Sequence, residues 1–431
     1  MPKIAFHTLG CRSNQYETDV MKRSCSLAGF EIVPFEEQAD IYVINTCTVT
    51  SNADKKSRNA IRAAKKNFPD AKIIATGCYV EMDNFNMKEA DLILSNKDKI
   101  NIIKYIRDEK RDFPLRTSHF PSPRVRANLM IENGCDNFCS YCIVPFVRGK
   151  IKSKPFDQVI AEARSLAKAG VKEIILTGIN LGEYGRMTND KFQMTNKIPM
   201  TKSQLIFPEL IEEISKIDGL LRIRLSSIEP MYITNALISV IKNNQKVCKH
   251  LHIPLQSGDD KILKAMNRNY TSKDFLNMIR KIRKQIKDIA VTTDIIVGFP
   301  GEDEKAFKNT CKLAEQSQFS RIHIFSYSDR PGTAASKLPN KIDPKTTAIR
   351  YVKLGELRDQ YMLKFHRSFM KKPVEVLIEQ RDKKTGMYEG LTGGFIRVFF
   401  AGDDMGDECL GRLITAKFKA FHGENVIASL R

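Results

Sequence analysis

The sequence predicts an α/β protein in three parts. These are an amino-terminal parallel α/β domain, a central partial (β/α)6 barrel and a small OB-like β-barrel at the end. Three observations predict it. Short apolar runs rich in β-branched residues alternate with helix-spaced segments over the first ~370 residues, the pattern of parallel strands joined by helices. The last ~60 residues instead carry five short alternating runs close together, which fits a small closed barrel. The length of 431 residues agrees with about three domains at ~150 residues each.

In the first part, Lys3–Thr8, Ile41–Asn45 and Lys72–Thr76 read as strands. Gln15–Ala28 and Asp54–Lys66 read as helices, the second capped by Ser51 or Asn52. A Pro/Ser linker from Phe113 to Pro123 follows. In the middle part, strands are expected at Ala127–Glu132, Glu173–Thr177, Leu221–Ser226, His250–Leu255, Ala290–Val297 and Arg321–Ser326. Helices at Pro155–Ala169, Pro208–Lys216, Thr271–Lys287 and Glu302–Gln316 lie between several of them. Six such units make a partial barrel. A polar insert without periodicity runs from Gly185 to Thr201, and a long helix from Pro344 to about Met370 closes the block. The last part holds strands at Val374–Gln380, Tyr388–Leu391, Phe395–Phe400, Cys409–Phe421 and Asn425–Ser429. The expected divisions are 1–116, 117–370 and 371–431.

Composition narrows the function classes. Hydrophobic residues at 42% and charged residues at 28% are ordinary for a globular chain. No stretch approaches the ~18 apolar residues of a membrane span, and Met1–His7 runs straight into a strand-like pattern. A membrane partner is not expected, and the cytoplasm is the expected compartment. Ten cysteines are too sparse for a disulfide scaffold, so reduced thiols, some of them ligands, are expected. The formal net charge is +20: +3 over 1–116, +16 over 117–370 and +1 over 371–431. A polyanionic partner of the middle part explains that distribution, as does a Lys-rich solvated surface.

The cysteines carry the chemistry. Cys135, Cys139 and Cys142 form a C-x3-C-x2-C spacing directly after the first barrel strand. Three thiolates on one loop grip a [4Fe–4S] cluster and leave one iron open. Zinc prefers paired C-x2-C groups with a fourth ligand. Cys11, Cys47 and Cys78 each follow a strand of the first sheet, so parallel strands would bring them to one edge. A second cluster and ordinary buried thiols are both open readings of this set. Cys25, Cys248, Cys311 and Cys409 read as core residues.

At these residues the chain resembles the radical S-adenosylmethionine methylthiotransferase family along all three parts. The resemblance rests on Glu132-Asn133-Gly134-Cys135 through Cys142-Ile143-Val144-Pro145-Phe146-Val147-Arg148-Gly149, with Leu9-Gly10-Cys11, Asn45-Thr46-Cys47 and Thr76-Gly77-Cys78. It implies a methylthiotransferase domain, a radical SAM barrel and a TRAM domain that binds RNA. Asn14-Gln15-Tyr16-Glu17-Thr18, Thr177-Gly178-Ile179-Asn180-Leu181-Gly182 and Arg224-Leu225-Ser226-Ser227-Ile228-Glu229-Pro230 resemble the MtaB-type branch. That branch acts on N6-threonylcarbamoyladenosine at position 37 of tRNA. The chain departs from the pattern at Arg12-Ser13 and in the insert from Arg186 to Ser203.

The resemblance implies two [4Fe–4S] clusters and S-adenosylmethionine as cofactors. The cluster on Cys135, Cys139 and Cys142 would bind the cofactor at its open iron and, after one-electron reduction, yield a 5′-deoxyadenosyl radical that takes hydrogen from C2 of the adenine. The cluster on Cys11, Cys47 and Cys78 would deliver the methylated sulfur. No general acid or base is singled out. Gly178, Ser226, Ser227, Glu229, Gln256 and Gly298, at strand ends, are the candidates for holding the cofactor, and Phe325 and Tyr327 for stacking on its adenine. Arg148, Lys150, Lys152 and Lys154 alternate beyond the cluster loop and are the candidate RNA-phosphate contacts. Arg148 and Arg224 are candidates for the threonylcarbamoyl carboxylate. Expected partners are the anticodon loop of ANN-decoding tRNA and a one-electron donor such as flavodoxin or ferredoxin, with the protein a monomer. Rival readings are the same chemistry on isopentenyladenosine-37 or on a ribosomal protein, and a non-catalytic iron–sulfur sensor that binds nucleic acid. Residues 371–431 carry no expected ligand, so their deletion is expected chiefly to weaken RNA binding.

Overall fold

The computed structural model describes residues 1–106, 124–185, 203–401, 405–423 and 425–430. The Pro/Ser linker, the 116/117 boundary and nearly all of the polar insert lie outside the described residues. Two compact units emerge. The first comprises Met1–Pro123, Asn133–Lys152 and Ser328–Ser336; the second comprises Arg124–Glu132, Ser153–Tyr327 and Lys337–Arg431. The segment carrying Cys135, Cys139 and Cys142 thus groups with the amino-terminal sheet.

The first unit is built on five parallel strands in the order Glu31–Val33, Lys3–Thr8, Ile41–Thr46, Lys72–Gly77, Leu92–Leu94. Every residue of Ile41–Thr46 is buried, as a central strand covered on both faces requires. Helices Arg12–Leu27 and Ser51–Asn67 flank the sheet. The second helix is capped by Thr50, not by Ser51 or Asn52: the Thr50 side chain accepts the Ala53 N–H at 3.1 Å, and its extended backbone keeps it outside the helix. One apolar cluster gathers Tyr42, Ile44, Ile61 and Ile73; another gathers Ile4, Met21, Val43 and Ile74.

In the second unit, Arg126–Met130, Glu173–Thr177 and Arg222–Leu225 pair in parallel, as do His250–His252, Ala290–Val297 and Arg321–Ser326. Isolated parallel bridges, Ile223 to Val247 and Ser227 to His252, join the two triplets. The six strands form the expected partial barrel, with helices between them. The strand expected over His250–Leu255 stops at His252, where Pro254 cannot donate to a ladder and Gln256 turns to φ +65°. Five strands after the long helix Pro344–Arg367 close a barrel in the order Val374–Arg381, Tyr388–Thr392, Arg397–Phe400, Asn425–Leu430, Leu413–His422. Val376, Ile378, Tyr388, Val398, Phe400 and Phe418 fill it. Among the described residues no helix is long and apolar enough to cross a membrane.

Buried arginines tie this small barrel to the larger one. Arg222 donates to the carbonyls of Leu391 and Glu375, and Arg224 to those of Thr392 and Gly393. Arg224 also pairs with Glu173 at 2.7 Å, and Arg126 bridges Glu173 and Glu379. Arg224 and Glu173 are both fully buried. Deleting residues 371–431 is therefore expected to leave the buried guanidinium groups without carbonyl partners. Insoluble or molten protein is the expected outcome, read by near-ultraviolet circular dichroism, rather than a folded enzyme with weak RNA binding.

Glu173→Gln isolates the same lock. Burial opposes the charge on Glu173, but Arg224 and Arg126 hold its carboxyl down to about 2, from 4.5. Its stabilisation is complete above 4.5 and is lost as pH falls through about 2. The substitution is expected to cost about 3–5 kcal/mol at pH 7 and progressively less toward pH 2 in denaturant unfolding.

Candidate functional site

Three adjacent parallel strands deliver three thiols to one sheet edge. Lys3–Thr8, Ile41–Thr46 and Lys72–Gly77 run side by side, and Cys11, Cys47 and Cys78 follow their carboxyl ends. Hydrogen bonds to oxygen set these loops, and the Cys47 sulfur accepts one more from the Val49 N–H. The Asn14 amide donates to Leu9 O at 2.7 Å and to Thr46 O at 2.8 Å, tying the first loop to the second. The Cys78 N–H donates to Thr46 O, and the Thr46 hydroxyl donates to Thr76 O, tying the second to the third. Ser57 Oγ bonds both the N–H and the carbonyl of Cys47. At Gly10, with φ +91°, a Cβ would stand 2.7 Å from Cys47 Sγ, so only glycine lets the first loop lie on that thiol.

Cys47 is 6% exposed, Cys78 is 4% exposed, and Cys11 is open. Burial pushes the Cys47 thiol up to about 11, with a smaller rise from Cys78 and Cys11 as neighbours. Burial also raises Cys78, opposed by Arg148 and Lys99.

The second triad sits on Asn133–Lys152 in the same unit. Gly134, at φ +86°, has Lys150 O where a Cβ would be, and Cys135 N–H donates to Gly149 O, so the segment closes on itself. Cys142 N–H donates to Cys139 O, and helix Val144–Arg148 follows. That helix seats Cys78 against Ile143 and Val147, which places the two cysteine sets beside one another.

Arg148 is the joint between them. Its side chain is 1% exposed, donating to Asn14 Oδ1 at 2.5 Å, Asn133 Oδ1 at 2.8 Å and Glu17 Oε1 at 3.0 Å. Lys99, fully buried, donates to Glu17 Oε2 at 2.5 Å and Asn96 Oδ1 at 2.7 Å. Despite burial, which works against its charge, Arg148 is held more firmly protonated by Cys78, Glu17 and Cys11.

Two expectations are corrected here. Arg148 does not line a strand with Lys150, Lys152 and Lys154: it ends a helix, Gly149 reverses the chain at φ +74°, and only Lys152–Ser153 is strand. Its guanidinium is buried and paired inside the protein with Asn14, Glu17 and Asn133, which leaves it no open face toward an RNA phosphate or a threonylcarbamoyl carboxylate in this structure. Arg224 is equally spent on Glu173 and backbone carbonyls. Lys154 pairs with Glu162, while Lys150 and Lys152 are exposed. Sequence reading missed Lys99 altogether, because nothing in its local pattern announces burial.

In the second unit, Gly178, Ser226, Ser227, Gln256 and Gly298 all lie beyond the carboxyl ends of parallel strands, the face where barrels do chemistry. A Cβ on Gly178 would come 2.0 Å from Glu132 Oε1, which accepts the Asn180 N–H at 2.6 Å. Gly298, at φ +77°, donates its N–H to Glu302, which Arg350 braces at 2.9 Å. Glu229 pairs with Arg268. Tyr327 packs edge-on against Phe299, and Phe325 is 45% exposed. Asn180 is 2% exposed, and neither polar atom of its amide has a protein partner among the described residues; Ser226 Oγ is likewise buried without one. Buried amides are rarely left so, which makes Asn180 a candidate ligand contact that sequence reading missed.

All-thiol triads suit iron–sulfur clusters. Among the described residues no three His, Cys, Asp or Glu side chains stand close enough for one metal ion. A cubane takes each thiolate on a different iron and so needs them farther apart.

The Radical SAM superfamily model matches residues 130–314, and that of uncharacterized protein family UPF0004 matches residues 3–95. The threonylcarbamoyladenosine tRNA methylthiotransferase MtaB of Bacillus subtilis is 36% identical, over 97% of this chain and 94% of that protein. The chain belongs to the radical SAM methylthiotransferase family. The Aquifex aeolicus MtaB is 34% identical over 88% of this chain and 94% of that protein. The tRNA-2-methylthio-N(6)-dimethylallyladenosine synthase of Natranaerobius thermophilus is 32% identical over 98% and 95%. In fold, the chain is similar to the radical S-adenosylmethionine methyltransferase TsrM of Kitasatospora setae, solved with cobalamin and a [4Fe–4S] cluster. The TM-score is 0.54 at 14% identity, covering 78% of this chain and 77% of that one. The cofactors of this methylthiotransferase are S-adenosylmethionine and [4Fe–4S] clusters.

Proposed function

We propose that the protein inserts a methylthio group at C2 of N6-threonylcarbamoyladenosine at position 37 of tRNA. The observation that carries this reading is the pairing of two cysteine triads in one compact unit, in a chain with MtaB relatives at 32–36% identity over most of its length. Residues 1–116, 117–370 and 371–431 are read as sulfur-inserting, radical-generating and RNA-docking blocks.

When bound, the clusters and S-adenosylmethionine supply reductive cleavage of the cofactor and the sulfur that is transferred. The chain's own residues hold and orient them. Cys135, Cys139 and Cys142 grip one cluster, and Cys11, Cys47 and Cys78 grip the other. Asn14, Thr46 and Ser57 fix the thiol loops, so that little ordering remains when a cluster binds. Gly178 opens space for the Glu132 carboxylate, which holds the Asn180 backbone and leaves the Asn180 amide for a polar ligand. Ser226, Ser227, Glu229, Gln256 and Gly298 complete the cofactor-facing rim. Exposed Lys150 and Lys152 meet phosphate. A flavodoxin- or ferredoxin-type donor supplies electrons, the protein acts as a monomer, and its tRNA substrate places it in the cytoplasm.

The test is methylthiolation by reconstituted protein of tRNA bearing threonylcarbamoyladenosine beside tRNA bearing isopentenyladenosine. Turnover of the first is expected. Preference for the second would reassign the substrate to that of the dimethylallyladenosine synthases while leaving the chemistry in place.

A further inference from the structure

We infer that Arg148 and Lys99, with Glu17 between them, form a buried charge device that sets the reduction potential of the cluster on Cys11, Cys47 and Cys78. The inference rests on the proposed ligation by those cysteines and goes beyond it.

Three ionisable side chains are packed together with exposures of 0–1%. Two are cations and one is an anion, so the group carries one uncompensated positive charge. A buried charge without a counter-charge is costly, and proteins rarely retain one. The hydrogen bonds accord with these charges. Lys99 donates to Glu17 Oε2 and Asn96 Oδ1; burial works against its charge, and the Glu17 carboxylate beside it opposes that effect. Arg148 donates to three, Glu17, Asn14 and Asn133. Glu17 accepts from both cations, and although burial raises its carboxyl, Lys99 and Arg148 together hold it lower still.

The missing negative charge lies at the cysteines. Cys78 packs against Ile143 and Val147, the latter adjacent to Arg148. Asn14, which accepts from Arg148, is the residue whose amide holds the carbonyls of Leu9 and Thr46 beside Cys11 and Cys47. Arg148 therefore reaches the backbone of two thiol loops through two hydrogen bonds relayed by Asn14, and its chain neighbour Val147 packs on the third thiol. An oxidised [4Fe–4S] core with three thiolates carries one net negative charge, which balances the device, and one added electron makes it two. A cation held in a dry site favours the reduced form, because the field is little screened there. Arg148 also leaves the chain six residues after Cys142, so the charge is delivered by the loop of the other triad.

The experiment uses the full-length chain with Cys135→Ala, Cys139→Ala and Cys142→Ala, reconstituted with iron and sulfide so that one cluster remains. Electron paramagnetic resonance during stepwise reduction with dithionite reads its midpoint potential, and iron per chain is measured alongside. Arg148→Met leaves a neutral Lys99–Glu17 pair, and the potential is expected to fall. Glu17→Gln leaves two cations, and the potential is expected to rise. Arg148→Lys keeps the charge and should stay near the parent. Opposite shifts from Arg148→Met and Glu17→Gln are what a merely structural role cannot produce. Equal potentials, shifts in the same direction, or loss of iron from both Arg148→Met and Arg148→Lys would overturn the inference. Absence of any cluster in the parent would instead overturn the ligand assignment itself, and the inference with it.

Discussion

Cys139→Ala is expected to abolish reductive cleavage of S-adenosylmethionine while leaving the cluster on Cys11, Cys47 and Cys78 in place. Three thiolates are the minimum grip when one iron must stay open for the cofactor. Backbone hydrogen bonds also hold the loop. Gly134 and Gly149 close it, and Ser140 O accepts the Ala335 N–H at 2.7 Å. Iron should fall from about eight to about four per chain, and 5′-deoxyadenosine should become undetectable. Release of 5′-deoxyadenosine at the parent rate would show that the radical site is elsewhere.

Cys47→Ala should divide the reaction differently. Cofactor cleavage is expected to persist and sulfur insertion to vanish, with 5′-deoxyadenosine and methylthio product read from one reaction. Cys47 is preferred to Cys78 for this purpose, because Cys78 packs on the helix that follows Cys142, and its loss would disturb both cysteine sets. The cavity left by one buried sulfur is small, and Ser57 still holds the Cys47 backbone. Loss of both products from a well-folded variant would mean that the amino-terminal cysteines serve the radical site.

The longer strands were legible because each is long enough to show its period; Lys3–Thr8, Glu173–Thr177, Ala290–Val297 and Arg321–Ser326 match the expectation residue for residue. The edge strands Glu31–Val33 and Leu92–Leu94 were not, since three residues carry no periodicity. The short helices Asn235–Asn243 and Asp260–Ala265 were passed over as well. The cysteine spacing was readable because chemistry dictates it. What surrounds the cysteines was not. Arg148 alternates with lysines in sequence and so resembles a basic edge, yet its partners Asn14, Glu17 and Asn133 are brought to it by tertiary packing alone. Arg224 misled in the same way. A lone arginine in a strand pattern looks available until the carbonyls of Thr392 and Gly393 are seen to occupy it.

Mass spectrometry of tRNA nucleosides from cells with and without this gene tests the central claim most directly. Loss of 2-methylthio-N6-threonylcarbamoyladenosine is predicted in the deletion, with N6-threonylcarbamoyladenosine accumulating in its place and the methylthio form restored by the intact gene. An unchanged level of that nucleoside, with the methylthio form of isopentenyladenosine lost instead, would contradict it.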